Sequence, residues 1–339
     1  MNEAEPTGVY NEQPDRIYWA SKKYEYNDYT NGKNVVVKLS NGEDKGYQYS
    51  FNAILTKKYD FGFTGSIGYT YTMAKDLTAN PGSAPNSAWQ NNVAVNSLND
   101  PGVSYSLFST PHRIIANASY EINYAKCLKT TFSLFYSGYH TGRYSYTYYN
   151  DMNGDGNYSD LIYVPNSQDE MTFVDITDKS GAITYSAVDQ AKDFWDFVNN
   201  DSYLKDRKGK YVERNGSLTP WINRFDFKIA QDFYATLGGR KYGIQVSLDM
   251  LNVGNMINSK WGAYQSCGLK SYDNVQLLKT ASKVGEPLTY QINANSREAF
   301  KERSSWQYTN TIGSAWSMQL GVKAVSYTHL RAHETLMNL

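Results

Sequence analysis

YQYSFNAILTKKYDFGFTGSIGYTYTM, residues 47–73, is the stretch whose periodicity decides the fold. Tyr47, Tyr49, Phe51, Ala53 and Leu55 alternate with Gln48, Ser50, Asn52, Ile54 and Thr56. After Lys57-Lys58-Tyr59-Asp60 the pattern resumes. Phe61, Phe63, Ile67, Tyr69, Tyr71 and Met73 then alternate with Gly62, Thr64, Ser66, Gly68, Thr70 and Thr72. A period of two puts successive side chains on opposite faces of a strand. The stretch therefore predicts two antiparallel strands joined by a tight turn, one face aromatic and the other small and polar. Such strands suit a soluble sandwich, with the apolar face against a second sheet. They equally suit a transmembrane barrel, with that face in lipid and the polar face on a wet lumen.

Composition narrows the choice. The 339 residues suffice for one large β domain or two ordinary ones. Mean hydropathy is −0.60, and no apolar run approaches the roughly 18 residues that a membrane helix needs. That excludes helical spans but not a barrel, whose alternating strands average to a hydrophilic value. Tyrosine is the outlier, at 31 against 13 Phe and 7 Trp, and Tyr suits surfaces that are apolar in the middle and wet at the ends. With 33 basic and 33 acidic residues and no long block of one charge, no nucleic-acid partner is expected. Cys127 and Cys267 form neither a metal motif nor a disulfide framework. No signal peptide is read at Met1, so for an exported barrel the start of the protein is expected upstream.

The same alternation recurs along the chain. Residues 1–33 read as a polar loop and Asn34–Leu39 as a short strand. Strands are expected from His112 to Tyr124, from Leu128 to Tyr136, from Trp221 to Phe233, from Tyr242 to Met250, and around Trp316 to Val322. The tight turns are Ala125-Lys126-Cys127 and Thr236 to Arg240. The long connections run roughly 74–111, 140–219 and 254–304. In the second of these, Ser186 as N-cap, with Val188, Ala191, Phe194, Trp195 and Val198 at helical spacing, predicts one helix. Short and long connections alternate, as in up-and-down membrane barrels with tight periplasmic turns and long outer loops. Greek-key sandwiches give no reason for such regularity. Arg224, Asp226, Lys228 and Asp232 share one strand face; they are costly in a sandwich core and comfortable beside water.

Several stretches then resemble a family. SIGYTYTMAKDL (66–77), TPHRIIANASYEINY (110–124), SLFYSGYHTGRYSYTY (133–148), DMNGDGNYSDLIYVP (151–165), ERNGSLTPWINRFDFKIAQDF (213–233) and DMLNVGNMINSKWG (249–262) are similar to the C-terminal part of TonB-dependent outer-membrane receptors. The likeness is to the Oar-like branch, whose members often carry a carboxypeptidase-regulatory-like domain. The resemblance implies an integral protein of the Gram-negative cell outer membrane, an all-β antiparallel up-and-down transmembrane β-barrel of about 22 strands around a plug. Residues 1–325 would be its C-terminal strands, incomplete and open. The implied function is energy-coupled import of a scarce or large nutrient. The implied partners are outer-membrane lipid, the N-terminal plug and strands of the same receptor, the TonB energy-coupling complex through that part, and a surface lipoprotein. A passive barrel or surface adhesin is the alternative. Residues 326–339 resemble translated adaptor sequence, and a non-native tail is expected there.

Asp151, Asn153, Asp155 and Gly156 begin like a calcium loop, D-x-N-x-D-G, but Ile162 occupies the twelfth position, where the bidentate Glu belongs. Asp160 substitutes in part. A structural calcium is one reading and an Asx-rich turn the plainer one. Arg214, Asn215 and Trp221, with His112 and Arg113, stand where long connections meet strands. They read as a substrate lip or as loop anchors, Trp221 in an interfacial belt. Arg224, Asp226, Lys228 and Asp249 would line the lumen against plug or water. The aromatic run Tyr144–Tyr149 would suit glycans or peptides. No nucleophile elbow, P-loop, zinc motif or acid–base pair is present, so no enzyme and no other cofactor is expected.

Overall fold

In the computed structural model the alternating segments become seven long strands. They are β1 (Tyr47–Lys58), β2 (Phe63–Asp76), β3 (His112–Tyr124), β4 (Leu128–His140), β8 (Trp221–Leu237), β9 (Arg240–Leu251) and β12 (Ser317–Tyr327). They lie side by side in chain order, every neighbour antiparallel, with Ser104–Tyr105 added beside β2. The protein is mostly sheet, 47% strand against 13% helix, which makes it all-β. The structure describes residues 5–20, 42, 44–79, 82–158, 160–237, 240–267, 270–271, 274–293, 296–302, 304–309 and 311–327. The expected strand Asn34–Leu39, the Gly238-Gly239 turn and residues 328–339 fall outside them. Ser326 and Tyr327 continue β12 opposite Tyr242 and Lys241.

Register keeps each kind of side chain on its own face. Phe63, Tyr120, Phe132, Ile229, Leu248 and Leu320 are successive cross-strand partners over six strands. One residue along, Thr64, Ser119, Ser133, Lys228, Asp249 and Gln319 form the matching polar row. A slip of one residue anywhere would mix the two rows, so the pattern itself fixes the register. The sheet is open, with β1 and β12 as its edges. No second layer covers the apolar face among the described residues: Phe51, Leu55, Ile67, Tyr120, Leu134, Phe233, Ile244, Met318 and Leu320 all stay exposed.

The buried core lies elsewhere. The long connections, expected as loops with one helix, fold beyond the ends of β4 and β8 into a cap with its own sheet. That sheet runs β6 (Thr172–Phe173), β11 (Thr289–Ile292), β10 (Asn274–Thr280), β5 (Arg143–Tyr148), β7 (Ser217–Leu218). The β5–β10 and β6–β11 pairs are parallel. The expected helix forms as α1 (Ala187–Asn200), and Ser186 Oγ accepts the Asp189 N–H at 3.1 Å. Its Phe194, Phe197 and Val198 pack with Tyr146, Ile162, Leu204, Leu277 and Phe300, while Val188 points to solvent. Gln190, buried beside them, is fully used. It donates to the Val174 and Tyr185 carbonyls and accepts from Ile292 N–H, as a buried amide must. Among the described residues, the large buried cluster takes none from the seven wall strands.

Candidate functional site

Tyr144, Tyr146 and Tyr148 are the first correction. The run read as a ligand-facing loop is β5, a central strand of the cap, and all three rings are buried. Tyr146 donates to Asp201 at 2.7 Å and shares a 3.1 Å contact with Tyr144; Tyr148 takes a hydrogen bond from Gln13 at 2.8 Å. Only Tyr149 of that run remains open to solvent. Burial, helped by the charge of Asp201, pushes the Tyr144 phenol up to about 12.

The lip residues divide. Arg214 and Asn215 are buried and aimed inward, so they do not meet a ligand at the mouth. Arg214 donates to the Leu77, Asp76 and Gly102 carbonyls and to Asn92 Oδ1, with Asp76 Oδ1 at 3.6 Å. It ties the first long connection to the second. Asn215 sits at φ 54, donating to Tyr105 O and Ser145 Oγ. Trp221 ends the apolar face, edge-on to His140 at 4.9 Å, its Nε1 on Asn223. His112 also stands on that face, 2.7 Å from the Tyr69 hydroxyl. Arg113 points the other way, its guanidinium 5.9 Å from the Tyr139 ring.

On the polar face the charges pair. Lys228 Nζ lies 2.7 Å from Asp249 Oδ1 across the β8–β9 ladder, and Arg224 lies 3.5 Å from Asp226 along β8. Lys129 lies 3.5 Å from Asp232, which also accepts from Gln245. The part-exposed Lys228–Asp249 and Arg224–Asp226 pairs contribute about 0–1 kcal/mol each, whereas Asp232 is buried beside Lys129.

The acidic loop is gathered at the cap's floor. Carboxylate oxygens of Asp151, Asp155 and Asp160 lie within 4.8 Å of one another. Asp151 accepts the N–H groups of Gly154, Asp155 and Gly156, and Asn153 Oδ1 accepts the Asp155 N–H. Asp160, buried, accepts from Met152 and stands 3.4 Å from Arg16. Burial first, then the charge of Asp155, raises the Asp160 pKa well above the carboxylate range; burial also raises Asp151 against its three N–H donors. Ile162 is wholly buried in the core and offers no ligand. The donor set is hard oxygen with one cationic neighbour, which suits a calcium ion in part.

Arg16 was invisible in the sequence. The segment expected as a polar loop carries it into the cap, fully buried, where it donates to the Val95 and Leu161 carbonyls and lies 4.8 Å from the Tyr211 ring. Arg143 plays a similar part, over Tyr105 at 4.3 Å and donating to Asn215 O. These partners lie roughly 38–195 residues away in sequence, beyond any local pattern. Compared with known proteins, the chain matches no family model, no curated protein and no solved structure.

Proposed function

We propose that this chain is the C-terminal wall and outer cap of an energy-coupled nutrient receptor of the TonB-dependent, Oar-like kind, integral to the outer membrane. The observation that carries this is the apolar face, continuous over the strands, uncovered, and backed by a polar face of paired charges. Its height is supporting. Trp221 to Phe233 on β8 is twelve residue steps. At about 3.4 Å each and a tilt near 40° they rise about 30 Å, close to the apolar band of an outer-membrane barrel with its aromatic girdles. The tight turns would face the periplasm and the cap the outside, and the plug and TonB contact would come from chain beyond this one.

The expected result is a carbonate-resistant outer-membrane protein whose loss abolishes uptake of one nutrient in a way that also requires the energy-coupling complex. Leu320→Arg, at mid-wall on the apolar face, should cost about 2–4 kcal/mol of stability in bilayers. Gln319→Arg, on the other face, should cost little. Equal costs would remove the lipid assignment. Ligand capture without coupled uptake would favour the passive barrel or adhesin, a reading that the packed cap also supports.

The calcium reading joins this proposal: Asp151, Asn153, Asp155 and Asp160 would hold the ion, which would neutralise the clustered carboxylates. Millimolar calcium should then raise the melting temperature over chelator-treated protein, and Asp155→Asn should abolish the gain. An equal gain in the variant would leave only the Asx turn.

A further inference from the structure

The connection leaving β9 does not go straight into the cap. Asn252, in left-handed backbone at φ 52, starts a one-turn helix, Val253–Ile257, followed by a turn to Gly262. Amides lock the segment. Asn252 Nδ2 donates to Gly262 O and Ser314 O, Asn255 Nδ2 to Ser259 O and Trp261 O, and Asp226 Oδ1 accepts the Asn252 N–H at 2.7 Å. Trp261 and Phe225, an apolar-face residue of β8, both stand against Gly254, where a Cβ would meet them at 3.6 and 3.8 Å, ordinary contact distance. This rigid knot holds Met256, Ile257 and Trp261 outward, 52, 77 and 52% exposed. Beside them Lys260 Nζ stands 5.8 Å from the exposed Tyr308 ring.

We propose that Asn252–Gly262 is a lipid anchor seated at headgroup level of the outer leaflet, with Met256, Ile257 and Trp261 in the acyl boundary and Lys260 and Tyr308 among anionic headgroups. The inference rests on the membrane reading of the wall. Two observations select lipid as the occupant. The patch is continuous with the apolar face through Phe225, at the end of the strands where the girdle residues Trp221 and Trp316 stand. Its composition is also that of interfacial anchors: an apolar tip, a Trp and a snorkelling Lys. Fixing three apolar side chains outward through the buried amide of Asn252 and the half-buried one of Asn255 has no benefit in water and a direct one in lipid.

The test uses the protein as encoded at its locus, carrying Cys127→Ser, in vesicles of phosphatidylethanolamine and phosphatidylglycerol; Cys267 is buried. A nitroxide is placed in turn on Ile257→Cys, Leu320→Cys on the wall, and Val188→Cys on the cap helix. Collision with oxygen is compared with collision with a water-soluble nickel chelate. The expected ratio at 257 is several-fold above that at 188 and approaches that at 320. A lipid-like 320 with 257 no different from 188 overturns the anchor and leaves the wall intact. A water-like 320 overturns both.

Discussion

Arg214 shows what one side chain does in the cap. From the second long connection its guanidinium serves carbonyls and an amide of the first, while sitting beside Asp76. Arg214→Met would leave those acceptors buried and unpaired, and should lower cap stability by about 3 kcal/mol in urea titration. Lys192→Met, at an exposed helix pair, should change it by under about 0.5 kcal/mol. Tyr144 and Tyr203 set a pH limit. Burial holds both phenols at about 12 against an ordinary 10.0. The native state therefore keeps protons that the unfolded chain gives up above pH 10. Their contribution is complete below 10.0 and lost as pH rises through about 12. Cap melting should stay level up to pH 10 and fall across that window; an unchanged melting temperature at pH 12 would contradict it. At this scale the sequence was a partial guide. D-x-N-x-D-G spacing brought Asp151 and Asp155 together, because Asx loops close locally. Arg214 read as a substrate lip or a loop anchor, and it is an anchor; which connection it anchors was not legible, because its partners, roughly 112–138 residues away, are set by tertiary folding.

The long strands were legible in place and facing, since period two survives only where two faces meet different surroundings; β4, β8 and β12 run four or five residues past the expected ends. The β3–β4 turn adds a detail. Ala125 and Lys126 both adopt positive φ, 48 and 57°, in the three-residue connection between the paired Tyr124 and Leu128, a conformation that favours Asn and Gly. Ala125→Asn with Lys126→Gly should stabilise the hairpin by about 1 kcal/mol, read as a higher urea midpoint. A lower midpoint would mean that the Ala-Lys side chains contribute packing not evident here. Helix α1 followed its N-cap and spacing, with one exchange: Phe197 is buried where Val188 was expected. The cap strands escaped notice for a physical reason. β5, β6, β7 and β11 have two to six residues each and alternate too briefly to stand out from a Tyr- and Asn-rich connection.

Taken whole, the molecule separates two tasks between its sheets. The wall leaves its rings outward and its charges paired on the other face, whereas the cap is closed upon itself and carries the protein's buried cluster. Amphipathic alternation told of the first. The second depends on which distant segments meet, and nothing short-range encodes that. It is also why the candidate ligand residues moved: most aromatics of the Tyr144–Tyr149 run are the cap's interior, and only Tyr149 of them, with Tyr158 outside the run, faces solvent.

The parallel pairing of β5 with β10 sets Ser145 against Asn274 and Tyr146 against Val275. Segments so far apart cannot dock until the strands between them have been laid down, and closing so wide a loop is slow. The expected order of assembly follows: hairpins close first from their tight turns, and the cap's sheet last. On the receptor reading proposed above, a chain halted partway through biogenesis should show a finished partial wall with an unsealed cap, open to added protease.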